Sequence, residues 1–151
     1  MKKFLTLMLI GVLAVSLSCF DDDDDKDKDD PSGSKSNPIQ LTIGESKSGE
    51  IGATSCDNES YSSKYYFVNI TASQAYTIRL YNMSADFDLY VYKDSSYEEA
   101  SLISSSENLD TTEDIVNLTD AQTSGLTKLY IEIYNGLCES SGGTFSVLVS
   151  Q

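Results

Sequence analysis

The chain contains no histidine and no tryptophan, and only two prolines, Pro31 and Pro38. Without histidine there is no Ser-His or Cys-His pair and no imidazole metal ligand. Paired carboxylates remain for acid-base work, but the acids fall on loops and outward strand positions, and their spacing implies no cleft. The chain is therefore read as not an enzyme. No stretch of any length carries a helical period. Basic residues are scarce, with ten Lys and Arg against 24 Asp and Glu, for a formal charge of −14. A surface this acidic repels phosphate backbones, so nucleic acid is not an expected partner. Cations, basic proteins and neutral polymers are compatible with it.

What is present begins with a leader. Lys2 and Lys3 precede an apolar run from Phe4 to Leu17. At about 1.5 Å per residue, that run falls short of a bilayer core of roughly 30 Å. It reads as an export signal and not as a membrane span. The following Ser16-Leu17-Ser18-Cys19 resembles a bacterial lipoprotein box, which implies a signal over 1–18 and lipidation at Cys19. Ser16 stands where stricter boxes carry Leu. Phe20 after the lipidated Cys implies the outer membrane or the cell surface, reached through a lipid anchor. Asp21 to Asp30 holds eight Asp and two Lys. Like charges self-repel and nothing there can be buried, so residues 19–38 read as the lipidated Cys and a disordered tether.

From Ile39 the chain alternates. Asp86-Phe87-Asp88-Leu89-Tyr90-Val91-Tyr92-Lys93 is the sharpest case, with Phe87, Leu89 and Val91 on one side and Asp88, Tyr90 and Tyr92 on the other. Period-two alternation of this kind is a strand with one buried face. Further strands are expected at Ile39–Ile43, near Ile51, and at Tyr65–Ile70, with Tyr66, Val68 and Ile70 inward. Ala75–Tyr81 follows, with Tyr76, Ile78 and Leu80 inward. Leu102–Ser105 and Asp114–Leu118 come next. Lys128–Tyr134 places Leu129, Ile131 and Ile133 inward. A closing strand after Gly142-Gly143 places Phe145, Val147 and Val149 inward. Short strands divided by Gly, Asn, Asp and Ser turns predict an all-β fold, a single jelly-roll-like antiparallel β-sandwich over 39–151. One core of roughly 110 residues is enough for a sandwich.

The order YYFVNI (65–70), YTIRL (76–80), DFDLYVYK (86–93), LYIEIYN (129–135) and GTFSVLVS (143–150) resembles the bacterial pre-peptidase C-terminal domain. The collagen-binding domains of bacterial collagenases are similar to that family. The resemblance spans about residues 39–151, and its D-x-D-L-Y element is the most specific part. It implies a sandwich of eight or nine strands, no catalysis, and usually attachment to a secreted peptidase. Here no peptidase precedes the domain.

Collagen-binding relatives hold calcium with acids from the linker before the first strand and from nearby loops. The matching linker here, Ser32 to Pro38, has no carboxylate. Asp57, Glu59, Asp86 and Asp88 offer hard oxygen ligands instead, although no D-x-D-x-D-G run is present. Asp86 and Asp88 serve equally as turn and strand-edge residues that accept from backbone amides. No other cofactor is expected. Cys56 and Cys138 remain once Cys19 is lipidated, and an exported chain oxidises such a pair. Free thiols or bridges between chains are the alternative. A Cys56–Cys138 bridge closes most of the domain, worth on the order of 4–5 kcal/mol in the chain-entropy model. The remaining expectation is an outward tyrosine surface formed by Arg79, Tyr81, Tyr90, Tyr92, Tyr130 and Tyr134. Tyrosine suits extended polymers such as collagen-like protein or polysaccharide. The same rings in cross-strand pairs would only stiffen the sheet. The chain is expected to be a monomer, and the alternative function is a structural or accessory envelope lipoprotein with no polymer ligand, with or without calcium to stabilise it.

Overall fold

The computed structural model describes residues 33–54, 62–136 and 141–151. They form nine strands: β1 (Ile39–Leu41), β2 (Lys47–Ile51), β3 (Ser62–Asn69), β4 (Tyr76–Tyr81), β5 (Asp88–Tyr92), β6 (Leu102–Ser106), β7 (Asp114–Leu118), β8 (Lys128–Asn135) and β9 (Gly143–Ser150). Among the described residues the one helical element is a 3-10 turn, Glu99–Ser101, just before β6. Two sheets face each other as a β-sandwich. The five-stranded sheet runs β1-β3-β8-β5-β6, and the four-stranded sheet runs β2-β9-β4-β7.

Each strand forms for the reason its alternation gives. One face is apolar and must leave water; the other is polar or aromatic. Tyr66, Ile78, Leu80, Phe87, Leu89, Val91, Leu129, Ile131, Ile133, Val147 and Val149 are all fully buried between the sheets. Ile70, expected inward, is only partly buried, because β3 ends at Asn69. The core includes an aromatic chain, with Phe145 edge-on to Tyr66 at 6.3 Å and to Phe87 at 5.7 Å. Gly49 of β2 lies under this chain. A side chain there would enter the space taken by the Phe145 ring and the Tyr66 hydroxyl.

Two features depart from expectation. β1 pairs with β3 in parallel, Ile39 opposite Tyr66 and Leu41 opposite Val68, while every other pair is antiparallel. Residues 33–38, expected as the end of the tether, are folded onto β3. The Gly33 carbonyl accepts from Tyr65 N at 2.8 Å, and Gly33 N donates to the Asn37 carbonyl at 2.8 Å. Gly33 makes this possible because it sits at φ +104, in the region that favours glycine. The backbone bonds of the turn outweigh its polar composition.

Candidate functional site

The outer face of the five-stranded sheet is a grid set by strand register. Tyr92 of β5 lies opposite Tyr130 of β8, Tyr90 opposite Glu132, and Asp88 opposite Tyr134. On the other side of β8, Phe67 of β3 lies opposite Tyr130, Tyr65 opposite Glu132, and Ser63 opposite Tyr134. Three neighbouring strands thus bring five tyrosines and a phenylalanine to one surface.

A seventh ring arrives from a loop. Tyr97, in the β5–β6 connection, adopts a left-handed backbone with φ 52 and folds back over the sheet. Its ring stands edge-on to Tyr65 at 4.7 Å, Tyr92 at 5.5 Å and Tyr130 at 5.9 Å. Its hydroxyl donates to the Tyr66 backbone carbonyl at 3.2 Å. Edge-to-face pairs of this kind add about 0.5–1.5 kcal/mol each beyond the area they bury. Tyr97 and Tyr92 are each only 7% exposed, whereas Tyr65, Tyr90, Tyr130 and Tyr134 are half-buried. Tyr90 and Tyr134 form a separate edge-to-face pair at 6.2 Å.

Glu132 holds the centre of the grid. Its carboxylate accepts from Ser63 Oγ at 2.7 Å and from the Tyr92 hydroxyl at 2.9 Å. Burial pushes the Tyr65, Tyr90, Tyr92 and Tyr97 phenols above the ordinary tyrosine range, and neighbouring carboxylates or phenols push further. All four therefore stay neutral and able to donate across the physiological range.

Two clefts flank the face. One of ≈ 300 Å³ is lined by Lys93, Asp94, Lys128 and Tyr130 with neighbouring loop residues. The other, of ≈ 290 Å³, is lined by Asp86, Asp88, Glu107, Leu109, Tyr134 and Gly136. Burial, then repulsion from Asp86, Glu107 and Asp114, pushes Asp88 up to about 6. Asp114 at the start of β7 is fully buried. Its Oδ1 accepts from Ser106 Oγ at 2.6 Å and Asn108 N at 2.9 Å. Burial raises it as well, against the pull of those two donors.

The expected binding residues are thus divided. Tyr90, Tyr92, Tyr130 and Tyr134 share one face. Arg79 and Tyr81 do not join them, because β4 belongs to the four-stranded sheet on the opposite side of the sandwich. There Arg79 Nε pairs with Glu113 Oε1 at 2.5 Å, its guanidinium lies 5.4 Å from the Tyr81 ring centroid, and the Tyr81 hydroxyl donates to Ser46 Oγ at 2.8 Å. Sequence reasoning passed over Tyr65, Phe67, Tyr97 and Glu132. The first two follow from Tyr66 being inward. Tyr97 carries no periodic signal at all.

Of the expected calcium ligands, Asp57 and Glu59 lie outside the described residues, as do Cys19, Cys56 and Cys138. Asp86 and Asp88 are brought together at one cleft. Among the described residues no three acidic, His or Cys side chains already converge as a metal cage. The donor set is nevertheless the kind calcium takes, all oxygen and all anionic.

No family model matches the chain, and no curated protein matches it in sequence. Among solved structures it is similar to the pre-peptidase C-terminal domain of collagenase from Bacillus anthracis. That match has a TM-score of 0.51 and 11% identity, and covers 75% of this chain and 94% of that one. At that identity the likeness concerns the fold alone: a β-sandwich like that of the pre-peptidase C-terminal domain.

Proposed function

We propose that this chain is a non-enzymatic lipoprotein of the cell envelope, whose five-stranded sheet binds an extended protein or polysaccharide through its tyrosine face. The observation that carries the reading is the seven-ring surface itself. Five of its rings stay half-buried at the solvent boundary; Tyr65 and Tyr130 pack against the almost wholly covered Tyr97, and Tyr90 pairs with Tyr134. Rings already fixed in position lose little entropy on binding, and each offers an apolar face with a hydroxyl. A sheet whose outer face served only as a solvent boundary would carry Thr, Ser or Lys there.

The fold of a collagenase domain makes collagen-like peptides a sensible first probe, beside neutral polysaccharides. Signal shifts of the Tyr90, Tyr130 and Tyr134 ring protons during titration with either probe would support the reading. Shifts confined to Arg79, Tyr81 and Thr77 on the other sheet would refute it.

The anchor and compartment belong to the same proposal. Cys19 carries the lipid, the acidic run keeps the sandwich away from the membrane, and Cys56 is bridged to Cys138. Changing Cys19→Ser should move the protein from the membrane to the soluble fraction. Two thiols alkylated without reductant would rule out the bridge. A purely structural role in the envelope has one observation in its favour: Tyr92 and Tyr97 are buried and stiffen the sheet whatever else it does.

A further inference from the structure

The two clefts that flank the tyrosine face carry opposite charge. At the Tyr134 end the lining acids are Asp86, Asp88 and Glu107. At the Tyr130 end the cleft of ≈ 300 Å³ holds Lys93 and Lys128 against one acid, Asp94. In a chain of formal charge −14 this is a local reversal of sign. The other described bases are engaged elsewhere or lie on other edges. Lys35 pairs with Glu98, Arg79 pairs with Glu113, Lys64 donates to the Glu50 carbonyl at 3.4 Å, and Lys47 is on β2. No ion pair among the described residues engages Lys93 or Lys128. Asp94 is committed to its own turn, where it accepts from Ser96 N at 3.0 Å. Lys128 continues the outward row of β8 that holds Tyr130, Glu132 and Tyr134, and its Nζ lies 5.0 Å from the Phe67 ring centroid. That contact keeps the ammonium on the ring surface.

We propose that the Lys93–Lys128 cleft is an anion subsite at one end of the tyrosine face, which takes the carboxylate of an acidic sugar in an otherwise neutral polysaccharide. The subsite deepens the tyrosine-face reading and rests on it. A polysaccharide fits better than a peptide because β3, β8 and β5 are each paired on both sides in the order β1-β3-β8-β5-β6. No strand edge is free there for main-chain pairing, so the face offers rings and hydroxyls alone. The acid must be isolated. From Lys128 to Tyr134 is about 20 Å along the strand. A chain charged at every unit would set its next anions over Glu132 and then beside Asp86, Asp88 and Glu107. Those carboxylates repel the wrong register and the wrong direction, while the lysines attract the right one. The acidic sugar therefore sits at Tyr130, and the neutral run extends toward Tyr134.

The test uses the whole chain and xylo-oligosaccharides carrying one glucuronic acid at the non-reducing end, beside the same oligosaccharides with that carboxyl reduced to the alcohol. Calorimetry at low salt should show the acidic form bound about fivefold more tightly, an advantage that salt screens away. Lys93→Gln/Lys128→Gln should abolish the advantage and leave the neutral form's affinity unchanged. Lys47→Gln removes an equally exposed charge from the four-stranded sheet and should keep the advantage. All three positions are exposed, and melts on the same samples check folding. Equal binding of the two forms to the wild type would overturn the subsite. So would an advantage that survives in the double lysine variant, or one that Lys47→Gln also removes. If the neutral form still needs Tyr90 and Tyr134 in those cases, the tyrosine face stands and only the subsite falls. An advantage that needs the lysines but survives Tyr90→Ser/Tyr134→Ser would break the link between cleft and face. Collagen-like peptides with a free or an amidated C-terminus form the last arm. Carboxylate preference among the peptides, with no binding of either sugar, would overturn the polysaccharide assignment.

Discussion

The two outer faces of this sandwich obey the same alternation and are made of different chemistry. On the four-stranded sheet the polar outward groups meet one another in ordinary pairs, with the exposed Ile115 and the partly buried Leu148 on either side of Arg79. Thr77 Oγ1 donates to Asn117 Oδ1 at 2.9 Å, Arg79 meets Glu113, and Tyr81 meets Ser46. On the five-stranded sheet the outward groups are rings packed on rings, with one carboxylate held at the centre and a loop tyrosine folded over the top. A face of mutually satisfied polar pairs stands well in water and needs no partner. A face of fixed, partly covered rings resembles the centre of a binding surface, where aromatic anchors carry most of the energy.

The contrast breaks first at Tyr97. Tyr97→Ala empties a site bounded by three rings and should destabilise the domain by about 3 kcal/mol, whereas Tyr81→Ala on the opposite sheet should cost less than about 1 kcal/mol. Denaturant melts of the two variants measure the difference directly. Equal costs would mean that the two faces are equally packed.

A smaller effect should come from single hydroxyls. Tyr92→Phe leaves one oxygen of the half-buried Glu132 without its donor and should cost about 1–2 kcal/mol. Tyr81→Phe removes an exposed bond to Ser46 and should stay within about 0.5 kcal/mol.

The smallest expected difference lies at the acidic corner. Asp88 has a folded pKa of about 6 against an ordinary value of 3.8, and Asp114 is raised as well. Between those values the folded state binds more protons than the unfolded one. Stability from these groups therefore rises as pH falls from about 7 to 5, and is lost as pH climbs through the folded value. The melting temperature should be higher at pH 5 than at pH 7, and Asp88→Asn should flatten that slope. An unchanged slope would place the titration elsewhere.

Much of the fold was legible because one buried face per strand leaves a period-two trace. Every expected strand exists, and residues such as Ile78, Leu89, Ile131 and Val149 lie inward as the alternation requires. Alternation says which side of a strand faces the core, but not which sheet the strand joins. That is why Arg79 and Tyr81 were grouped with Tyr90 and Tyr134 although the sandwich separates them. Tyr97 was illegible because its place depends on a left-handed backbone in a loop and on three rings distant in sequence. Asp114 is equally hidden, since it looks like a solvated acid until the β6 end brings Ser106 and Asn108 to its carboxylate. The turn at 33–38 leaves no signal in its own composition, because its order comes from bonds to β3.

The central claim is that the tyrosine face, and not the polar face, is the working surface. The direct measurement is binding of wild type, the Tyr90→Ser/Tyr134→Ser double variant and Tyr81→Ser to immobilised triple-helical collagen-like peptides and neutral polysaccharides, with melts on the same samples. The account predicts that the wild type and Tyr81→Ser bind the same probe alike, and that the double variant loses at least about tenfold in affinity, near 1.4 kcal/mol, while still folding. Full binding by the folded double variant, an equal loss in Tyr81→Ser, or no binding by the wild type to any probe would contradict it.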